Sequence, residues 1–272
     1  MPNHRIALAL TALFAVSALA ARANERVFTY TYEPEVLPQG AVEFEQWLTL
    51  RTGRAAADGK GSFNRWDIRE ELEYGLTDRY TAALYLNFRH DSFVDLGTGH
   101  DQSVFRFRGV AVENRYQLLN PAAHAIGLTL YVEPRLSQDE FSLEQKLILG
   151  QRHGDWKWAL NLSHETEWNL HHVGYEGEFD VTFGLTRQFG PRWSVGLETR
   201  FHAATEEYRQ WEHFTFSAGP TLAYRQERWW AALTVLPQLW GHNAEGNPDG
   251  YRYLVLDDHE RLEVRLLIGF GF

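Results

Sequence analysis

Charged residues at every second position are the chemically most suggestive feature of this sequence. They are Asp67, Arg69, Glu71, Glu73, Arg106, Arg108, Glu144, Lys146, Glu198, Arg200, Glu263 and Arg265. Residues two apart in a β-strand point to the same side, so each group predicts one charged face of a strand. Charges enclosed in this way either pair into a network or line a water-filled passage that screens small solutes.

A histidine and a serine two positions apart could support hydrolysis. His90 and Ser92 share a predicted strand face. A serine nucleophile needs a base within about 3 Å and a third group that orients the base. No Gly-x-Ser-x-Gly elbow occurs in the sequence. Because His90 and Ser92 share a face, a membrane-embedded acyl hydrolase with Ser92 as its nucleophile stays as an alternative.

A second histidine-rich stretch could hold a metal ion. His164-Glu165-Thr166-Glu167 begins like a zinc-protease helix, but Trp168 stands where the second His is required. His164, His171 and His172 could still meet as ligands in one loop, although a solvated loop is the simpler interpretation. We therefore predict no metal site, no cofactor and no enzymatic activity.

The first 23 residues are typical of a secretory signal peptide. A charged start is followed by an apolar run from Ile6 to Ala20 and by the small-x-small site Ala21-Arg22-Ala23.

The charge and composition of the mature chain exclude some functions. Loss of Arg5 and Arg22 with the signal peptide reduces the number of basic residues from 26 to 24, against 36 acidic ones, which gives a formal charge of −12. This charge argues against nucleic acid as a partner. Cysteine is absent, so no disulfide can form.

The rest of the chain alternates apolar and other residues with the period of a β-strand. Twelve such segments can be counted, for example Ala82, Leu84, Leu86 and Phe88, and then Phe105, Phe107 and Ala111. No later stretch approaches 18 apolar residues, which excludes a helical membrane protein. An even number of strands with one apolar face each predicts an antiparallel membrane barrel whose charged faces line the lumen.

The links between these segments alternate between long and short. The long links are predicted at 52–62, 90–102, 165–178, 203–212 and 241–259. Trp156, Trp193 and Trp229 stand near short turns, whereas Trp66, Trp168, Trp211 and Trp240 stand near long links. Short periplasmic turns, long extracellular loops and two aromatic girdles are expected of an outer-membrane barrel surrounded by lipid and lipopolysaccharide. A soluble β-protein with ordinary core aromatics is the alternative.

The two ends of the predicted barrel have separate features. The last ten residues alternate in polarity and end with Phe270 and Phe272. This ending resembles the signal that the barrel-assembly machinery recognises in outer-membrane proteins, which implies that machinery as a partner. Residues 24–39 precede the barrel, which we place at 40–272, and lie either at the periplasmic rim or inside the lumen as a partial plug.

Two further segments resemble a known group of proteins. They are Tyr74-Gly75-Leu76-Thr77-Asp78-Arg79-Tyr80, and Leu37-Pro38-Gln39-Gly40 leading into Glu43-Phe44-Glu45-Gln46-Trp47. Both resemble a large, mostly uncharacterised group of proteobacterial outer-membrane barrels that are often labelled transporters. The resemblance implies the architecture but no substrate and no functional residue.

The sequence thus predicts a single-domain, all-β protein, an up-and-down antiparallel barrel of about twelve strands behind a cleaved signal peptide. We interpret it as a passive outer-membrane channel for small hydrophilic solutes. A closed barrel braced by ion pairs and, third, the acyl hydrolase are the alternatives.

Overall fold

A computed structural model describes residues 26–57, 59–246, 252–257 and 259–272. The predicted signal peptide, residues 1–23, lies outside this part. The described residues form twelve β-strands. These are β1 (Val42–Thr52), β2 (Lys60–Thr77), β3 (Tyr80–Asp95), β4 (Asp101–Leu119), β5 (Gly127–Leu136), β6 (Glu140–His153), β7 (Trp156–Asn169), β8 (Tyr175–Phe189), β9 (Trp193–Glu206), β10 (Gln210–Arg225), β11 (Trp229–Asn243) and β12 (Leu262–Gly271). No helix in the described residues is long and apolar enough to cross a membrane.

The strands form one closed antiparallel barrel. Each strand pairs with its neighbours in the sequence, and β1 closes the ring by pairing with β12, with Trp47 opposite Leu267. Closure leaves no unpaired strand edge, so every strand has a partner for its backbone on both sides. The predicted all-β, twelve-stranded, up-and-down barrel is confirmed.

The two faces of the barrel wall differ in polarity. Large apolar side chains such as Leu72, Leu84 and Val195 are exposed on the outside. Inward side chains such as Glu43 and Glu71 are buried in the lumen. This arrangement reverses that of a water-soluble barrel and suits an apolar surrounding with a polar interior.

A bulge in β4 changes which residues of that strand face inward. Gly109 has a φ of 98°, and the pairing between β3 and β4 shifts register between Asn87 and Phe88. The prediction that Ala111 shares a face with Phe105 and Phe107 is therefore wrong, because Ala111 is buried in the lumen. An extra residue in one strand inverts the alternation beyond it.

The strands extend into segments that the sequence suggested were loops. In place of the predicted long link 90–102, β3 runs to Asp95 and β4 begins at Asp101. Similarly, β9 and β10 leave only residues 207–209 between them. Polar residues continue the hairpins in strand conformation because backbone pairing does not require apolar side chains. We call this end of the barrel the loop end, and the opposite end, with the links 78–79, 154–155 and 226–228, the turn end.

Residues 26–37 lie inside the barrel and form what we call the luminal segment. Phe28, Thr29 and Leu37 are each no more than 1% exposed. Residues 38–40 are exposed at the turn end, where Gly40 N donates a hydrogen bond to Gly75 O at 2.8 Å. The segment therefore enters from the turn end and fills that half of the lumen.

Candidate functional site

The other half of the lumen is a wide cavity open toward the loop end, which we call the vestibule. Its volume is about 1040 Å³. Tyr30 and Tyr32 of the luminal segment are among the residues that line it. Among the described residues, fourteen carboxylate and ten cationic side chains line the same cavity. So many charges in one space require water, because few of them could be desolvated without a large cost in free energy.

The charges of the vestibule are separated into two walls. The basic wall consists of Arg51, Arg65, Arg69, Arg89, Arg108 and Arg135 from β1 to β5. The acidic wall consists of Glu144, Glu165, Glu167, Glu176, Glu178 and Glu206 from β6 to β9. Some residues break the pattern, such as Asp67 on the basic side and Arg200 on the acidic side. A solute in the cavity would therefore meet mainly basic side chains along β1 to β5 and mainly acidic ones along β6 to β9.

Glu198 attaches the luminal segment to the barrel wall. Its carboxylate accepts backbone hydrogen bonds from Thr29 N at 2.9 Å, Tyr30 N at 2.9 Å and Thr31 N at 2.8 Å. Thr234 Oγ1 donates to the same carboxylate at 2.5 Å. Hydrogen bonds to an ionised group are among the strongest in proteins. This single side chain therefore satisfies three consecutive backbone N–H groups of a segment that has no strand partner.

Amide and hydroxyl groups hold the following residues of the segment. Asn161 accepts from Tyr32 N at 2.6 Å and donates to Tyr32 O at 2.9 Å, so the side-chain amide pairs with the backbone as a strand would. Pro34 O accepts from Gln117 at 2.9 Å and from Thr129 at 2.6 Å. Apolar packing adds to these polar contacts, because Val27, Phe28 and Tyr32 belong to a buried cluster with side chains of the barrel wall.

Arg265 contacts the segment where it meets the vestibule. Its guanidinium lies 3.9 Å from the ring centroid of Tyr30 and donates to Thr29 O at 3.2 Å. Glu263 accepts a hydrogen bond from the Tyr30 hydroxyl at 3.2 Å. Both side chains therefore hold the tip of the segment, and Arg265 also lines the vestibule.

Phe28 sits against a glycine in the wall, and this contact gives a direct test of the luminal position. A Cβ at Gly184 would lie 2.5 Å from the Phe28 ring. We expect Gly184→Ala to displace the segment and make it sensitive to added protease. The double variant Gly184→Ala with Phe28→Ala should regain most of the resistance, because the ring that clashes is gone. Equal protection of both variants and the wild type would contradict the placement.

Below the vestibule, a buried ionic network surrounds Arg115. Arg115 forms ion pairs with Glu73 and, at 2.6 Å, with Glu113. Glu113 also accepts a hydrogen bond from the Tyr85 hydroxyl. All four residues are at most 1% exposed. Acidic groups at this depth depend on the guanidinium for their stability, because water cannot reach them.

Comparison with known proteins places the chain in a family. A family model described as "Family of unknown function (DUF6662)" matches residues 20–272. The chain belongs to this family. No curated protein sequence matches this DUF6662 member.

Solved structures with a similar fold are outer-membrane channels. The COG4313 outer membrane channel from Pseudomonas putida F1 shares 14% identity and a TM-score of 0.61, over 90% of this chain and 100% of that one. The NanC porin shares 9% identity and a TM-score of 0.50, over 84% and 98%. At these identities the likeness concerns the fold alone. The similarity of fold confirms the predicted resemblance of this DUF6662 protein to outer-membrane barrels.

The charged residues singled out from the sequence of this DUF6662 protein occupy three different surroundings. Asp67, Arg69, Arg108, Glu144, Lys146, Arg200 and Arg265 line the vestibule. Glu71, Glu73 and Glu198 are buried beside the luminal segment or the Arg115 network, and Glu263 bonds to Tyr30. Arg106 is at the rim, with a side chain 57% exposed and 3.8 Å from Asp91. Their proposed role in lining a pore stays a prediction.

Several residues of this site were missed by sequence reasoning. The strongest case is the histidine cluster of His202, His213 and His259, which approach one another in the vestibule wall. Burial, together with the neighbouring His202 and His213, holds the pKa of His259 well below its usual value. The three positions are distant in sequence, so only the closed ring of strands brings them together. For the luminal segment, the available sequence signal was glycine at inward positions of the strands. At Gly184, the missing side chain leaves the room that Phe28 occupies.

The residues considered for hydrolysis are arranged differently from the expected pair. His90 Nε2 lies 2.8 Å from Ser103 Oγ, and Ser92 occupies the paired position opposite Ser103. Among the described residues, no carboxylate or amide forms a hydrogen bond with the His90 ring. A nucleophile and base without an orienting group make an incomplete triad. The histidines considered as metal ligands are also arranged differently from the expectation. His164 Nε2 lies 2.7 Å from the Tyr208 hydroxyl, and His164, His171 and His172 do not form a ligand group in the part of the chain that the structure describes.

Proposed function

We propose that this protein is an outer-membrane channel for small hydrophilic solutes, entered through the vestibule and constricted by the luminal segment. One observation carries the proposal: a charged vestibule of about 1040 Å³ ends on a segment that is held by side-chain hydrogen bonds. A barrel with a purely structural role would not require a wide, charged cavity in half of its lumen. A segment held in this way can act as a movable constriction.

The vestibule suits small polar molecules. Its volume of about 1040 Å³ is at the upper end of the range of roughly 300–1,000 Å³ that is typical of sites for small molecules. The opposing basic and acidic walls would align a zwitterion or another dipolar solute along one direction. Apolar molecules would find few contacts there, because the lining is dominated by charged side chains.

The outer surface supports a place in the outer membrane, with lipid and lipopolysaccharide as its surroundings. Exposed tryptophans occur near both ends, including Trp156 and Trp193 at the turn end and Trp66 and Trp211 at the loop end. Phe270 and Phe272 are also exposed, and Phe272 N donates to Val42 O at 2.9 Å. This is compatible with an assembly signal that is read by the barrel-assembly machinery before the ring closes.

Ion selectivity in planar bilayers tests the proposal. Carboxylates outnumber cationic groups in the vestibule, so the reversal potential in a KCl gradient should show a preference for cations. Glu176 and Glu206 occupy paired positions at the loop end. Replacing both with Gln should reduce that preference at least about twofold. Glu227→Gln, in the exposed turn between β10 and β11, is the matched control and should change nothing.

A silent barrel would point to the alternative function. If the folded protein, and also a variant with a released luminal segment, shows no conductance steps, the closed and ion-paired barrel is the better description. Heat-modifiable migration in gels establishes in each case that the barrel is folded.

A further inference from the structure

The vestibule wall contains three imidazole rings from three separate segments of the chain. His202 belongs to β9, His213 to β10, and His259 to the link between β11 and β12. One ligand nitrogen of each ring lies within 4.8 Å of the others. His213 Nε2 and His259 Nε2 are 2.6 Å apart, and the ring centroids of His202 and His259 are 5.0 Å apart. We propose that these three histidines bind a divalent transition-metal ion, for which Zn²⁺ is the probe.

The distances fit a metal ion of this class. Zinc binds imidazole nitrogens at about 2.0–2.1 Å, which places two tetrahedral ligands about 3.3 Å apart. The gap of 2.6 Å between His213 and His259 must therefore open by less than about 1 Å, which small ring rotations achieve. Imidazole ligands favour zinc, copper and nickel over the hard cations magnesium and calcium.

A carboxylate orients one of the three rings. His202 Nδ1 lies 3.2 Å from Asp180 Oδ1 and 3.4 Å from Arg200 Nη2. Asp180 Oδ1 can only accept, so a proton on Nδ1 of His202 completes this contact, and Arg200 Nε donates to the same carboxylate oxygen at 2.7 Å. In that tautomer Nε2 of His202 is the ligand atom. Carboxylate–histidine–metal arrangements of this kind fix the ring and increase its basicity.

The location gives an ion access and compensating charge. All three histidines line the vestibule, which an ion can enter from the loop end. Glu178 and Asp180 lie close to His202 as a second potential ligand group. Their negative charges offset the unfavourable positive charge of Arg200, and a water molecule can supply the fourth ligand. A bound ion would connect the last long link of the barrel to β9 and β10.

Isothermal titration of the full-length mature protein with Zn²⁺, after chelator treatment, tests the site. We expect one ion per barrel with a dissociation constant in the micromolar range or below. His213→Gln and His259→Gln should each weaken binding by about 100-fold or more, and Asp180→Asn by about 10- to 100-fold. His172→Gln, in an exposed loop, is the matched control and should bind as the wild type does.

Cobalt absorption gives a second, independent readout. Co²⁺ bound to three imidazoles in the vestibule should show a visible ligand-field band that is absent from His259→Gln. No uptake of Zn²⁺ by the folded wild type, or an equal loss in His172→Gln, would overturn the proposal. Metal binding does not require conductance. A barrel that binds Zn²⁺ but conducts no ions, both as the wild type and with a released luminal segment, would refute the channel and leave this site in place.

Discussion

Replacing Glu198 with Ala should release the luminal segment and increase the open probability of the barrel. The carboxylate accepts three backbone N–H bonds from residues 29–31, and their loss leaves three buried donors without a partner. Each bond to a charged acceptor contributes about 1.5–3 kcal/mol. A total loss of at least about 3 kcal/mol would increase the population of the released state by roughly 100-fold or more.

Single-channel recording in planar bilayers measures this effect. Glu198→Gln keeps one acceptor oxygen without the charge and should give an intermediate open probability. Glu206→Ala removes a carboxylate from the loop end of the same strand, where it faces the vestibule, and should not open the barrel. If Glu198→Ala conducts as the wild type does, the segment is not the constriction that we propose.

Replacing Arg115 with Met should cause the largest loss of stability of any single change in the lumen. Glu73 and Glu113 would remain buried without their cation. Removal of one partner from a buried ion pair costs about 3–5 kcal/mol, because the remaining charge has neither water nor a counterion. Urea unfolding in lipid vesicles, followed by tryptophan fluorescence, gives the free energy of unfolding.

Two variants identify the cause of that loss. Arg106→Met removes a cation from the rim, where the side chain is 57% exposed, so the change should cost no more than about 1 kcal/mol. Combining Arg115→Met with Glu73→Gln and Glu113→Gln removes the two carboxylates that Arg115→Met leaves buried without a cation. This triple variant should recover part of the lost free energy of unfolding. Arg115→Met unfolding at the same urea concentration as the wild type would contradict the network.

The twelve strands could be predicted from the sequence because their information is local. Residues two apart face the same side of a strand, so an apolar outside and a charged inside appear directly as alternation, as in Leu84 and Leu86 on one side and Tyr85 on the other. The alternation no longer predicts the face of a residue beyond a β-bulge, where one strand contains an extra residue. The bulge at Gly109 inverted the inferred faces of β4 and moved Ala111 into the lumen.

The individual roles of the charged residues could not be predicted, because they depend on what lies opposite each side chain across the lumen. Glu198 and Arg106 both belong to alternating charged runs, yet one is buried under three backbone N–H groups and the other is exposed at the rim. Residues 26–37 have no regular secondary structure, so their two possible positions, at the rim or in the lumen, looked alike in the sequence.

By itself, the sequence determined the all-β barrel, the order of its strands and the polarity of its two faces, since short-range periodicity encodes each of these. Only the tertiary structure decided where the luminal segment lies, how the basic and acidic walls face each other, and that His202, His213 and His259 meet. These features depend on contacts across a closed ring, between residues that are far apart along the chain, and no local pattern specifies them.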